Sequence, residues 1–203
     1  MSQKTPKRPS QDTCPGFSPI TLHKSPAAQS PQRNLTGPPR VIRDIIADLY
    51  NNVQRWNKLH IQGCALVKQI AAIKAGDPRK YSSQLEEYTT ELYGVFSGLK
   101  LNNEIFILLI SQSEAFSKLP NVSDPVFFSL SASSISKLIR EICEAYGKEI
   151  QAKRTILENI AHSKTKNEAM FLAAYWTHQL NVTDNITFKL ESLLVESGHR
   201  LIQ

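Results

Sequence analysis

Three cysteines in 203 residues, Cys14, Cys64 and Cys143, are too few and too far apart for a bridged scaffold. Their number is odd and no Cys-x-x-Cys pair exists, so neither a disulfide framework nor a thiolate zinc site is expected. The glycine loops that cradle phosphates, GxGxxG and GxxxxGK[ST], are missing. So are GxSxG, HExxH and the kinase motifs. His162, His178 and His199 stand 16 and 21 residues apart, without the tight spacing of metal ligands. Glu86, Glu87 and Glu91 form a solvated helix face, not an acid and base pair. The expectation is no enzyme, no metal and no cofactor. Strand alternation is lacking, and no repeat of solenoid length appears. The longest unbroken apolar run, Ile105–Ile110, has six residues, against roughly 20 for a bilayer span. The first residues lack the apolar core of a secretory signal. No membrane partner is expected, and the cysteines suit a reducing compartment, nuclear or cytoplasmic.

Positive charge is present but unevenly placed. Eight of the eleven prolines fall between Pro6 and Pro39. Residues 1–40 carry Lys4, Lys7, Arg8, Lys24, Arg33 and Arg40 against Asp12 alone, a net +5, while the remainder is +1. Such a segment, rich in Ser, Pro and Gln and poor in bulky apolar groups, cannot bury enough surface to offset the entropy of ordering. Residues 1–40 therefore read as a disordered basic tail. Thr5-Pro6-Lys7-Arg8 and Ser30-Pro31-Gln32-Arg33 fit the pattern preferred by cyclin-dependent kinases, and Ser18-Pro19 and Ser25-Pro26 fit its minimal form. Thr5, Ser30, Ser18 and Ser25 are thus candidate phosphorylation sites, each adding about −1.5 to −2 charge. The same charge allows weak nucleic-acid contact through the tail, an alternative function that predicts strong salt dependence. Only Phe17 is available there for base stacking.

What the sequence has in abundance is helical stripe. Ile42, Ile45, Leu49, Asn52, Trp56, Leu59, Gly63, Leu66, Ile70 and Ile73 follow one another at steps of three and four. After Ala75-Gly76-Asp77-Pro78 a second series begins: Leu85, Tyr88, Leu92, Val95, Leu99, Asn102, Phe106, Leu109, Ser113 and Phe116. Eight of ten positions in each are apolar. This 3-4 spacing turns a narrow stripe toward a partner helix, and the short turn makes the two helices antiparallel neighbours. Residues 41–119 are read as a long coiled-coil-like hairpin, its first helix running from Arg40 to Ala75. Ser82 or Ser83 caps the second helix, which ends about Leu119. Asn52 and Asn102 interrupt the stripes and are expected to fix register or partner choice. Gly63 leaves room for a bulky neighbour, and the GxxxG of Gly94 and Gly98 allows close helix approach. Ile105–Ile110 is apolar all round, which predicts burial on more than one side.

Residues 120–203 are read as a C-terminal helical region packing on the hairpin. Pro120–Ser131 is a loop with one sticky patch, Val126-Phe127-Phe128. Ser133 or Ser134 caps a third helix reaching His162. A shorter one spans Asn167–Leu180, and a last one runs from an Asp184 N-cap to a Gly198 C-cap. The fold class is all-α: a long antiparallel hairpin, three shorter helices and a tail. Apolar and aromatic anchors that a partner helix would engage are Trp56, Leu59, Phe106, Leu109, Phe127 and Phe128.

The C-terminal third resembles the cyclin-dependent kinase 2-interacting protein family. Tyr146, Lys148-Glu149, Lys153-Arg154-Thr155, Ala161-His162, Trp176 and His178-Gln179 carry the resemblance. The most specific run is Leu190-Glu191-Ser192-Leu193-Leu194 through Glu196-Ser197-Gly198-His199-Arg200. Ala47-Asp48, Trp56, Leu59 and Gly63 agree in the first helix. The resemblance implies a non-enzymatic, mainly nuclear adaptor. Its implied partners are cyclin-dependent kinase 2, the kinase that fires origins and a checkpoint partner protein. A further one is an AAA+ ATPase with a second small helical subunit, acting in ribosome maturation and on chromatin. Trp176, His178, His199 and Arg200 join the candidate partner interface on this ground.

Overall fold

A computed structural model describes residues 36–200, apart from Pro78, Lys80 and Asn121. Thr5, Ser18, Ser25 and Ser30, and the disorder expected of the tail, lie outside the described residues. Five helices follow in order, with no strand among the described residues: α1 (Pro38–Gly76), α2 (Ser83–Ser117), α3 (Ala132–Ile160), α4 (Lys166–His178) and α5 (Asp184–Glu196).

The helix ends show where local chemistry differs from the expected boundaries. α1 begins at Pro38, two residues before the expected start at Arg40. Pro38 and Pro39 fill the first turn, where a missing N–H costs nothing. Gly37 precedes them at φ 71°, a left-handed conformation that glycine adopts without strain. Ser82 caps α2, its hydroxyl accepting from the Leu85 N–H. The cap of α3 is Ser131, not Ser133 or Ser134: its Oγ accepts from the Ser134 N–H at 3.2 Å. A run of four hydroxyl-bearing candidates cannot be resolved by residue type alone. α4 stops at His178, short of Leu180, because Gln179 turns left-handed at φ 44°. Thr183 takes the N-cap position of α5, and Asp184 stands in its first turn, where a carboxylate favours the helix dipole.

The hairpin register is set from within. The Asn52 Nδ2 donates to the Asn102 carbonyl at 3.0 Å, and the Asn102 Nδ2 donates to the Asn52 carbonyl at 3.2 Å. Both residues are buried, and any slip would orphan two amides. The polar stripe positions therefore fix register inside this chain. α3 runs back along α2, with Phe106 stacked on Tyr146 at 4.7 Å and buried Ser113 facing Ser136 at 3.3 Å. At 29 residues it is shorter than α1 and α2, as expected. α4 and α5 share the fourth position of a bundle, end to end. α4 packs on the middle of α1 through Trp176, and the residues after α5 reach the first turns of α1. One core runs through all five helices.

Packing bears out some expectations and limits others. α1 and α3 both pack on α2, burying Phe106 and Leu109 and half-burying Ile105 and Ile110, while Ile107 at 56% exposure and Leu108 at 54% stay open. Gly98 does lie against Leu59, but a side-chain carbon at Gly94 would meet nothing within 4 Å. Gly63 answers its expectation fully. A Cβ there would stand 2.5 Å from Cζ2 of the fully buried Trp176. Gly63→Ala should destabilise by about 1–3 kcal/mol through overpacking, despite alanine's better helix propensity. Urea unfolding measures this; a stabilised variant would mean that Trp176 moves freely.

Candidate protein-binding surface

The expected partner anchors divide into three groups. Trp56, Phe106 and Trp176 are fully buried and Leu109 is 2% exposed, so these four belong to the chain's own core. Their large apolar side chains fill the core between α1, α2 and α4 before any partner arrives. Leu59 and Phe127 are half-buried against that core. Phe128 at 65% exposure and His178 remain open to solvent.

His199 and Arg200 are half-buried and bond within the chain. The His199 Nε2–H donates to the Arg43 carbonyl at 3.0 Å. Burial and the nearby Arg43 cation, against the pull of that hydrogen bond, hold its pKa below the usual histidine value. Arg200 pairs with Glu191 at 2.6 Å, bonds the Tyr50 hydroxyl at 3.3 Å and lies over the Tyr50 ring. Gly198 makes the turn at φ 70°. Glu196 reaches the loop before α3, where its Oε1 accepts the N–H groups of Phe128, Ser129 and Leu130 at 3.0, 2.5 and 2.8 Å. Burial alone would raise this carboxyl, but those donors and the Ser129 hydroxyl hold it below the usual value. The run Glu191–Arg200 is thus a clip that fastens α5 to α1 and to the 126–130 loop. Motif reading could not show that these residues bond to distant parts of the same chain.

Beneath the surface lies a polar cluster that the sequence did not announce. Lys153 is fully buried in α3. Its Nζ donates to the Trp176 carbonyl and to His60 Nδ1, both at 3.1 Å, and stands 4.3 Å from the Trp176 ring centroid. Glu149, one turn earlier and also fully buried, places Oε1 3.5 Å from that ammonium. Glu149 Oε2 accepts from the Asn181 N–H and Nδ2 at 3.2 and 3.0 Å. The pair therefore grips both the last turn of α4 and the α4–α5 connection. Desolvation lowers Lys153 to about 8, opposed by Glu149. Desolvation and the Lys153 cation lower His60 to about 3. Only the i, i+4 spacing of Glu149 and Lys153 was available as a signal, and on most helices that spacing is a surface pair.

An acid prediction follows from His60. The folded form holds it neutral, whereas the unfolded chain titrates near 6.5. Its contribution is complete above pH 6.5 and is lost as pH falls toward 3. Glu191, raised by burial, also titrates in this region, so the share of His60 is read as the difference between the parent and a variant. His60→Gln keeps an acceptor for Lys153 and should flatten that part of the stability profile. An unchanged profile from circular dichroism would show that a charged His60 is tolerated.

One exposed apolar face lies along α2. α2 is long and apolar enough, by length and composition, to cross a membrane. Its apolar residues divide between the core and an outer face that shows Tyr93 at 64%, Leu101 at 61%, Ile107 and Leu108 to solvent. Among the described residues, no three of His, Cys, Asp and Glu gather as a metal site.

No family model matches the chain. Curated relatives do. A cyclin-dependent kinase 2-interacting protein of Mus musculus is 26% identical over 192 residues, covering 80% of this chain and 91% of the relative. That of Homo sapiens is 24% identical over the same shares. That of Xenopus laevis is 40% identical over 62 residues, 30% of each chain. The mouse and human matches extend over most of the chain, not one motif, and over that length the chain is similar to the cyclin-dependent kinase 2-interacting proteins.

Proposed function

We propose that the chain is a non-enzymatic helical adaptor that binds cyclin-dependent kinase 2 and links it to larger assemblies in the nucleus. The observation that carries this reading is the outer face of α2. Leu101 and Leu108 stand two turns apart, beside Tyr93 and Ile107, on a helix whose opposite side is saturated by core contacts. A stripe of that spacing suits another helix. The relatives' name supports the kinase as one partner. The sequence resemblance supports the finer reading: contacts with the origin-firing kinase and a checkpoint partner protein, and membership of an AAA+ ATPase assembly. In that assembly the chain sits beside a second small helical subunit and acts in ribosome maturation and on chromatin.

The test is affinity purification of the full chain from cells, in moderate salt and with nuclease. Leu101→Glu with Leu108→Glu should reduce recovery of kinase and ATPase at least tenfold while leaving the melting temperature within about 2 °C, as surface substitutions do. Removing residues 1–35 should leave recovery intact. Partners that bind the double variant normally but vanish with the tail would transfer the function to the basic segment. Nucleic acid in that fraction would favour the alternative reading.

A further inference from the structure

The outer face of α2 repeats the spacing of its inner one. From Leu101 and Leu108 the same 3-4 steps run through Ser97 and Gly94 toward one end and through Ser111 and Ala115 toward the other, with Glu104 at the centre. All of these residues are exposed, while Leu99, Phe106 and Ser113 on the opposite side are buried. The series ends on exposed Glu87 and on exposed Lys118, the residue that caps the helix. In either direction it runs small residues, leucine, glutamate, leucine, small residues, with opposite charges at its two ends. Among the described residues Glu87, Lys100, Glu104 and Lys118 make no ion pair.

We propose that this face pairs with the same face of a second copy of the chain, the two α2 helices running antiparallel about a two-fold axis between Leu101 and Glu104. A two-fold pairing requires a surface complementary to itself, and this near-palindrome supplies one. In that register Glu87 meets Lys118 of the second copy, and Lys118 meets its Glu87. Leu108 packs on Ser97 of the second copy and Ser111 on its Gly94, so small residues let the two backbones approach. Leu101 covers the stem of the opposing Glu104, whose carboxylate lies within reach of Lys100. Every contact occurs twice. A parallel pair would set Glu87 on Glu87, Glu104 on Glu104 and Lys118 on Lys118, like charge against like. An antiparallel pair shifted by one heptad would leave Glu87 and Lys118 unmatched. Charge thus selects both the occupant and the register. From Glu87 to Lys118 the helix is about 47 Å long, and at about 10 Å width the seam covers roughly 500 Å² on each copy. The total, about 1,000 Å², stands at the lower edge of specific interfaces, so a dissociation constant on the order of 10 µM is expected. The inference rests on the reading of this face as a helix-binding surface, and self-pairing and partner binding there exclude each other.

The test is analytical ultracentrifugation of the purified full-length chain at low salt, from about 1 to about 300 µM. The mass should climb from that of one chain toward that of two. Leu101→Glu with Leu108→Glu should hold it at one chain throughout, with a melting temperature within about 2 °C of the parent. Glu87→Lys sets like charges together at both ends of the seam and should weaken association at least about threefold. Adding Lys118→Glu to that variant should recover it. A mass of one chain at every concentration would overturn the proposal. So would a dimer that survives the double leucine variant, because another face would then make it. A charge swap that recovers nothing would overturn the register. The kinase takes no part in these measurements. A monomeric chain that still recovers it from cells sinks the self-pairing alone, and a dimer that recovers no partner sinks the adaptor reading alone.

Discussion

Glu149→Gln should cost about 3–5 kcal/mol of folding free energy, the penalty for breaking a buried ion pair from one side. Lys153 keeps its neighbours, His60 and the Trp176 carbonyl, yet loses the Glu149 carboxylate at 3.5 Å. Glutamine preserves an acceptor for Asn181, so the loss reports the charge, not the grip on the α4–α5 connection. Changing both residues, Glu149→Gln with Lys153→Met, removes two desolvated charges together and should recover most of the stability. The pair also has a signature in pH. The folded state holds Lys153 near 8, and the unfolded chain holds it near 10.5. Between those values the unfolded state binds the extra proton, so this group's contribution rises with pH through that window. The buried Tyr146 and Cys143, both pushed up by burial, act in the opposite sense above pH 9. Lys153→Met should therefore make the alkaline loss steeper. Denaturant midpoints across pH 7–11 test both claims, and a Glu149→Gln variant within about 1 kcal/mol of the parent would show that water reaches the pair.

The 3-4 stripes were legible because a helix has one period and a core has one side. From Leu85 to Phe116 every stripe position of α2 is buried or half-buried. What the outer face does was not legible, since Leu101, Ile107 and Leu108 have the same residue types as core positions. Hydrophobicity tells which residues avoid water, not whether this chain or another supplies the cover. The C-terminal run was visible as a motif, but its residues act through distant partners: Glu196 on the 128–130 backbone, His199 on the Arg43 carbonyl and Arg200 on Tyr50. Contacts more than 60 residues apart in sequence leave no local pattern. Lys153 and Glu149 misled for the opposite reason. Their local pattern is that of a surface pair, and only the closing of α4 over α3 and α1 buries them.

Trp56→Ala is expected to cost about 3–5 kcal/mol, the range for deleting a large aromatic from a closed core. Trp56 is fully buried at the crossing of three helices. Its ring lies 6.2 Å from Phe106 of α2 and edge-on at 5.1 Å from Tyr146 of α3, while Phe106 and Tyr146 stack on each other. The indole N–H donates to Gln179 Oε1 at 2.7 Å, so the same residue also ties down the left-handed turn after α4. Two contributions can be separated. Trp56→Phe keeps an aromatic wall for Phe106 and Tyr146 but orphans the Gln179 carbonyl oxygen, and should cost about 1–3 kcal/mol. The remainder up to the alanine value measures the ring packing. If phenylalanine proved as damaging as alanine, the bond to Gln179 would carry the site, and α4 would detach first. Amide hydrogen exchange distinguishes the cases. Packing loss should speed exchange throughout α1, α2 and α3, whereas loss of the Gln179 bond should speed it in α4 alone.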